Sequence, residues 1–348
     1  MNKTSTDVAR FTWRARLALI VGSGLVTLIV IELVMRTLFP ASTHHLMYAQ
    51  SDDELLSIDL QPGAELEFEG VTQKIAPTQV QISSQGLRDR EFVIPKPAGT
   101  KRLLCVGDSI TFGWGVEENE GYCHRLEALL GGSWQTVNLG LPGYNTAQEI
   151  RRLERFGLQF EADVVLVQFD DNDHDAPADH GDTSSMSSWL IDHFAIARWL
   201  RARGIWAYEE PQDGPGGPGG PGGPGDEHET VDEPNAGEAH NVGNEPESQE
   251  GPPPVYDGLA SIQQAFGQLH TLVQKHGFKA IVFFPNSDET QLMEQLRGLN
   301  ISTASYRPAL MGPPEKLEIP NDKHPNAKKH QRIAKLMADV LKAQGLAP

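Results

Sequence analysis

Beyond Arg102, the sequence alternates between short apolar runs and longer segments in which apolar residues recur with helical periodicity. Short continuous apolar runs predict buried strands, and the longer periodic segments predict helices. Strands alternating with helices are typical of an α/β domain whose parallel sheet is covered by helices on both faces. The predicted strands are 103–106, 136–139, 164–169 and 280–284, and the predicted helices are 121–130, 147–156, 188–201, 259–276 and 326–344.

The N-terminal part of the chain contains an almost uninterrupted apolar segment, residues 17–35. As a helix it is long enough to cross a hydrocarbon core of about 30 Å. By the positive-inside rule, residues 1–16 are predicted to stay in the cytoplasm, residues 17–39 to cross the membrane and the rest of the chain to be exported. A cleaved signal peptide is the alternative, but Phe39 stands where cleavage needs a small residue. We therefore expect an uncleaved anchor. The flanking basic residues are Lys3, Arg10, Arg14, Arg16 and, after the segment, Arg36.

The net charge of −18 is concentrated in one stretch, residues 209–254, which holds glycine–proline repeats and many acids but no Lys or Arg. With so little apolar content, this stretch is predicted to be a disordered insertion in the domain. It is either a spacer, a lid or a tolerated surface insertion. An acidic chain lacks the basic footprint that nucleic acid requires, so we expect no nucleic-acid partner.

Residues 40–100 contain short alternating stretches, such as ELEFEG and TQVQIS, separated by Pro and Gly. They predict a small β-rich segment that connects the anchor to the main domain, residues 101–348. The chain has two cysteines, Cys105 and Cys123, too few for a disulfide framework or a zinc site built on cysteine. A single bridge is compatible with an exported domain, whereas the apolar strand around Cys105 favours a small core residue.

The first predicted strand runs directly into Gly107-Asp108-Ser109. In open parallel sheets, ligands bind beyond the carboxyl ends of the strands, so Ser109 lies where a nucleophile is expected. A serine at such a position is also a common N-cap of the helix that follows. The other strand ends must distinguish these two roles.

Three further stretches place polar or turn residues at the same kind of position. Gly143 and Asn172 each follow a predicted strand, and Asp322 and His324 precede the last helix. A nucleophilic serine needs a base that accepts its proton, and the base needs an orienting carboxylate. The resulting oxyanion needs hydrogen-bond donors. The nucleophile, base and carboxylate are matched by Ser109, His324 and Asp322. The oxyanion donors are matched by the backbone N–H groups of Ser109 and Gly143 and by the side-chain amide of Asn172.

The loop around Asn172 is rich in acids and histidines, but their spacing fits no standard metal-binding loop and predicts a solvated loop instead. Asn172 in such a loop also commonly bonds its own backbone. The residues concerned are Asp170, Asp171, Asp173, His174, Asp175, Asp179 and His180.

The Gly107-Asp108-Ser109 turn and the three further stretches together resemble the four sequence blocks of the SGNH (GDSL-type) hydrolases. The stretch ISSQGLRDREF, which precedes the first block, is similar to that of membrane-anchored bacterial members. The family's Gly-Asp-Ser block falls on 107–109, its glycine on Gly143, its asparagine on Asn172 and its histidine on His324. The resemblance implies a flavodoxin-like, three-layer α/β/α fold with a parallel sheet of about five strands. It also implies the catalytic set Ser109, Asp322 and His324, and no cofactor or metal.

Two blocks depart from the family pattern. The usual Gly-x-Asn-Asp block has Asp170 in place of the glycine, which puts an acid beside the oxyanion side of the site. The usual Asp-x-x-His block has Asn321 at its first position, so Asp322 is assigned instead. The resulting Asp-x-His spacing of Asp322 and His324 is similar to the last block of some polysaccharide acyl-modifying relatives.

Three functions of different classes are compatible with this sequence. The first is a membrane-anchored esterase in the bacterial periplasm that removes acyl groups, such as O-acetyl, from an envelope polysaccharide or lipid. The second is an acyltransferase that uses the same serine and passes the acyl group to a sugar hydroxyl. The third is an inactive, hydrolase-like binding module, which the intact Ser-Asp-His set disfavours. The sequence predicts no oligomeric state.

Overall fold

The computed structural model describes residues 12–38, 44–68, 76–177, 194–197, 257–286, 289–320 and 322–347. Helix α1, Trp13–Leu38, contains the apolar segment. Its length and composition suffice to cross a membrane, and a signal sequence meets the same criterion. The predicted insertion and the predicted helix 188–201, except for 194–197, lie outside the described residues.

The β-rich segment predicted after the apolar segment is present as two antiparallel strand pairs. We call residues 44–68 and 76–100 the connecting segment. Strands β3 and β4 alternate buried and exposed residues, as the sequences ELEFEG and TQVQIS predict. The pairs are β1 (Tyr48–Gln50) with β2 (Ile58–Leu60), and β3 (Glu65–Phe68) with β4 (Thr78–Gln81).

The main domain is built on a five-stranded parallel sheet, which confirms the predicted α/β class. Its strands are β5 (Lys101–Val106), β6 (Trp134–Asn138), β7 (Val164–Gln168), β8 (Lys279–Phe284) and β9 (Ser302–Ser305). Their order in the sheet is β6-β5-β7-β8-β9, and every neighbouring pair is parallel. Because β5 lies between β6 and β7, the loops that follow these three strands meet at one edge of the sheet.

Helices cover both faces of the sheet. They are α2 (Ser109–Phe112), α3 (Tyr122–Leu130), α4 (Thr146–Arg155), α5 (Gly258–His276), α6 (Thr290–Gly298), α7 (Arg307–Leu310), α8 (Pro314–Leu317) and α9 (Ala327–Ala343). Alternate residues of β5 point to opposite faces. Leu104 belongs to a hydrophobic cluster with residues of α4, α5 and α6, whereas Leu103 belongs to a second cluster with residues of α3 and α9. The fold is therefore the predicted three-layer α/β/α arrangement.

Cys105 in β5 and Cys123 in α3 are both buried and are joined by a disulfide. Cys105 is thus a core residue, as expected, but as one half of a cystine rather than as a free thiol. The bridge ties the central strand to a helix that covers it.

The connecting segment shares a third hydrophobic core with the main domain. Its own contributions are Met47, Leu56, Leu60, Leu66, Phe68, Val80 and Ile82, and those of the main domain are Phe112, Trp114, Leu141, Tyr144 and Ile319. The buried Arg152 of α4 adds a polar tie, since its guanidinium bonds the Asp59 carboxylate at 2.7 Å and the carbonyl oxygen of Gly86 at 3.0 Å. The connecting segment is therefore packed against the main domain through apolar and polar contacts.

Strand β9 and helix α6 have no counterpart among the predicted elements. Residues 302–305 read Ser-Thr-Ala-Ser and lie half-buried at the edge of the sheet. An edge strand with one neighbour has no need of an apolar run, so the pattern used for the inner strands does not detect it.

Candidate active site

Ser109 is the first residue of the short helix α2, directly after the turn that ends β5. The N-cap of this helix is Asp108, whose Oδ1 accepts the Ile110 N–H at 2.9 Å. The alternative that Ser109 serves as an N-cap is therefore wrong, and its hydroxyl is available for other contacts. The turn requires glycine at position 107, because an added Cβ would lie 2.0 Å from Thr111 Oγ1.

The structure brings Ser109, His324 and Asp322 together, although 215 residues separate the first from the second. Ser109 Oγ lies 2.9 Å from His324 Nε2. On the other side of the imidazole, His324 Nδ1 lies 2.5 Å from Asp322 Oδ1. The same carboxylate oxygen accepts the His324 backbone N–H at 2.8 Å, which fixes the short turn that carries both residues.

Asp322 is held in its ionised form. Burial by itself raises the pKa of this carboxyl, but hydrogen bonds from the His324 side chain and backbone and from the Trp114 indole outweigh that effect and lower the pKa. An ionised carboxylate on Nδ1 keeps a proton on that nitrogen and leaves Nε2 as an acceptor facing Ser109. Asn321, the residue at the family's usual acid position, lies outside the described residues.

The two other predicted residues flank Ser109 on the neighbouring strands. Gly143 lies in the turn after β6, and its φ of +85° is a conformation that favours glycine. Asn172 lies after β7 in the 3-10 turn Asp171–His174. Its side chain bonds to Asp108 rather than to its own backbone, and its Oδ1 is buried without a partner.

The solvated loop that the sequence predicts around Asn172 is present only in part: Asp171 is exposed, Asp170 and Asp173 are not, and Asp179 and His180 lie outside the described residues. Asp173 is buried, and its two oxygens accept Thr146 Oγ1 at 2.8 Å and the Asp170 N–H at 2.6 Å. Asp170 in turn caps the 3-10 turn by accepting the Asp171 N–H at 3.0 Å. Burial, helped by the charge of Asp108, raises the pKa of Asp170 to about 7. The prediction failed for Asp170 and Asp173 because these carboxylates serve as acceptors for backbone and hydroxyl donors inside the fold.

One group of donor atoms in the described part of the chain lies close enough together to hold a metal ion. It consists of Asp89, Glu118 and His124, whose donor atoms lie within 4.8 Å of one another. Asp89 already accepts the backbone N–H groups of Asn138 at 3.0 Å and Arg90 at 2.8 Å. This group shares no residue with the Ser109 site. The burial of Asp89 is explained by the two backbone N–H groups that its carboxylate accepts.

A serine bonded to a histidine that a carboxylate orients, at the carboxyl edge of a parallel sheet, is the arrangement that nucleophilic attack on a carbonyl requires. The model of the GDSL-like lipase/acylhydrolase family matches residues 105–239, which include Ser109, Gly143 and Asn172. This part of the chain therefore matches the family that its sequence motifs resemble, the SGNH or GDSL-type hydrolases. No curated protein sequence matches the chain significantly.

Several solved structures are similar to the chain at low identity. The crystal structure of TesA has 14% identity and a TM-score of 0.41, covering 70% of this chain and 99% of TesA. The esterase EstA from Pseudoalteromonas sp. has 14% identity and a TM-score of 0.40, covering 70% and 98%. A two-domain esterase described as active on acetylated mannans has 12% identity and a TM-score of 0.39, covering 72% and 51%. The family assignment rests on the family model and not on these distant likenesses.

Two residues at the site escaped the sequence analysis. Asp108 is part of the Gly-Asp-Ser block, and its cap position follows from the helix that begins at Ser109. Trp114 stands between two glycines shortly after that block, and its partners, Asp322 and His324, lie about two hundred residues away in the chain. Its position in a glycine-flanked turn is the one local signal that sets it apart.

Proposed function

We propose that this hydrolase is an extracytoplasmic, membrane-anchored serine esterase. It removes acyl groups, with O-acetyl the expected one, from a glycan or lipid of the cell envelope through an acyl-serine intermediate. The observation that supports this most directly is the continuous relay from Ser109 Oγ to His324 and on to Asp322, with contacts of 2.9 Å and 2.5 Å.

In the first half of the reaction, Ser109 Oγ attacks the carbonyl carbon of the ester while His324 Nε2 accepts the hydroxyl proton. The Asp322 carboxylate stabilises the imidazolium that forms. As the tetrahedral intermediate collapses, His324 returns the proton to the leaving alkoxide, which departs as an alcohol. The acyl group stays on Ser109.

The oxyanion of the tetrahedral intermediate needs donors beside Ser109. The backbone N–H groups of Ser109 and Gly143 and the side-chain amide of Asn172 are assigned this role. An amide NH2 carries two protons, so the Asn172 group that bonds Asp108 retains a second proton for the oxyanion. Bonding to Asp108 also holds the Asn172 side chain in one orientation.

Water completes the reaction. His324 deprotonates a water molecule that attacks the acyl-serine, which releases the carboxylic acid and regenerates Ser109. The side chains of His324 and Asp322 keep 17% and 19% of their surface exposed, so water reaches the base directly. An accessible base favours hydrolysis over transfer of the acyl group to a sugar hydroxyl.

Two features support an extracytoplasmic location. The exposed apolar segment 17–35 of helix α1 is preceded by more basic residues than follow it, which favours export of the chain beyond it. The buried Cys105–Cys123 disulfide is of a kind that persists in oxidising compartments and is rare in the cytosol.

The test is mass spectrometry of products formed by the purified full-length protein, in detergent, from a panel of acyl esters with and without sugar acceptors. Free carboxylic acid, together with an acyl adduct trapped on the peptide that contains Ser109, is the expected result. Acylated acceptor in place of free acid would assign the protein as a transferase. No adduct and no turnover of any activated ester would contradict both activities.

A further inference from the structure

Trp114 touches both members of the Asp322–His324 pair. Its indole Nε1–H donates to Asp322 Oδ2 at 3.3 Å, while His324 bonds the other carboxylate oxygen, Oδ1. Its ring also stacks on the His324 imidazole, with centroids 5.5 Å apart and an interplanar angle of 30°. One side chain therefore contacts the base on its ring face and the acid on the oxygen that the base leaves free.

Trp114 is itself held by the connecting segment. Phe68, the last residue of β3, packs edge-on against the indole with ring centroids 4.5 Å apart. The two rings belong to the third hydrophobic core, and the indole is almost completely buried. Trp114 cannot rotate away from His324 without opening that core.

The backbone on either side of Trp114 is fixed as well. The buried guanidinium of Arg88 donates to the carbonyl oxygens of Gly113 at 2.5 Å and Val116 at 2.6 Å. These two carbonyls flank the turn that carries Trp114, and Arg88 belongs to the connecting segment. The segment therefore secures the Trp114 turn through both its backbone and its side chain.

We propose that Trp114 is a positioning residue for the Asp322–His324 pair and that the connecting segment, through Phe68 and Arg88, completes the active site. This inference rests on the proposed role of Ser109 and His324. The indole N–H occupies Asp322 Oδ2, so that Oδ1 remains directed at His324 Nδ1. The stacked ring limits rotation of the imidazole away from Ser109.

This arrangement has a chemical consequence that differs from a purely structural role. A positioning residue acts through Asp322 and His324, so its removal should lower kcat, which depends on proton transfer, and leave KM nearly unchanged. Residues that act through one another give non-additive losses, whereas independent structural defects multiply. The two roles are therefore separable by a double-mutant cycle.

The experiment uses the full-length protein and an activated acetyl ester. Trp114→Phe preserves an aromatic ring on His324 and on Phe68 but removes the indole N–H. One hydrogen bond to a charged group corresponds to a loss in kcat of about tenfold. In an Asp322→Ala background, the same substitution should cause no further loss. Trp134→Phe, in strand β6, is the matched control and should keep kcat at the wild-type level.

A spectroscopic measurement makes the contact visible independently of activity. In protein labelled with ¹⁵N-tryptophan, the indole resonance that disappears in Trp114→Phe should shift when Asp322 is replaced by alanine. The Trp134 resonance should stay in place. Phe68→Leu gives a second variant; because it acts through the ring of Trp114, it should lower kcat and shift the same indole resonance.

The outcomes separate this inference from the proposed function. If Ser109→Ala abolishes turnover but Trp114→Phe keeps wild-type kcat, or if its loss multiplies with that of Asp322→Ala, the positioning role of Trp114 is wrong and the serine mechanism stands. If Ser109→Ala retains turnover, the proposed function itself is wrong.

Discussion

The carboxylate of Asp108 bonds the side chain of Asn172 and thereby links the loops that follow two adjacent strands, β5 and β7. Asp108 also caps the helix that begins at Ser109. One carboxyl group therefore contacts both the side chain of Asn172 and the first turn of the helix that carries Ser109. Burial raises the pKa of Asp108, and the hydrogen bonds from Ile110 and Asn172 oppose that effect.

The proposed role of Asn172 as an oxyanion donor predicts a loss of catalytic rate when its amide is removed. Asn172→Ala should lower kcat by on the order of 10² to 10³, the usual loss for one oxyanion donor, with a small change in KM. Steady-state kinetics on an activated acetyl ester provide the measurement. Asp171→Ala, an exposed neighbour in the same turn, is the control and should retain wild-type kcat. Equal losses in the two variants would show that the turn, and not the amide, is what matters.

The nucleophile and base are tested by labelling as well as by turnover. Ser109→Ala should abolish hydrolysis of an activated ester and labelling by a serine-directed phosphonate. His324→Ala should lower both nearly as far, because the serine and histidine act as a unit. Unchanged circular dichroism would show that both variants are folded. Phosphonate found on a different serine of the wild-type protein would contradict the assignment of Ser109.

The choice of acid is tested by two neighbouring substitutions. Asp322→Asn removes the charge that faces His324 Nδ1 at 2.5 Å, so kcat should fall strongly. Asn321→Ala should have little effect, since Asp322 supplies the acid. If Asn321→Ala proved as damaging as Ser109→Ala while Asp322→Asn kept full activity, the proposed Ser-His-Asp register would have to be abandoned.

The parts of this molecule that sequence could predict are those with a local signal. The inner strand β7 begins with four consecutive apolar residues, and the polar residues after β5 and β7 follow from the rule that sites form at strand ends. The edge strand β9 lacks such a run. The partners of Trp114 and of the buried Arg88 are carbonyls and side chains from distant segments, and no spacing within the chain encodes them.

Asp170, the acid at the family's glycine position, predicts a pH effect on stability. Burial raises its pKa to about 7, above the value of about 3.9 for an unfolded chain. Between these values the folded state keeps a proton that the unfolded state has released, so this residue lowers the free energy of unfolding as pH rises from about 4 to about 7. The slope from one such group is at most about 1.4 kcal/mol per pH unit.

Asp170→Asn keeps the side-chain oxygen that accepts the Asp171 N–H but does not titrate. Denaturant unfolding of this variant from pH 4 to 8 should therefore give a flatter decline of stability with pH than the wild type gives. Asp171→Asn, at an exposed position, should follow the wild-type curve. Parallel curves for Asp170→Asn and the wild type would mean that Asp170 titrates alike in the folded and unfolded chains.

The Cys105–Cys123 bridge connects location to stability. It spans a sequence separation of 18 residues, and closing a loop of this size stabilises a fold by about 3 kcal/mol in the chain-entropy model. The double variant Cys105→Ala, Cys123→Ala should lose roughly that much in denaturant unfolding. It should retain wild-type kcat, since neither cysteine contacts the Ser109–His324–Asp322 relay.

Protein purified from the envelope fraction should contain no free thiol, whereas the same chain expressed without residues 1–38 in a reducing cytosol should contain two. Two free thiols in the envelope protein would remove the disulfide as support for export and leave the basic residues before α1 as the remaining argument.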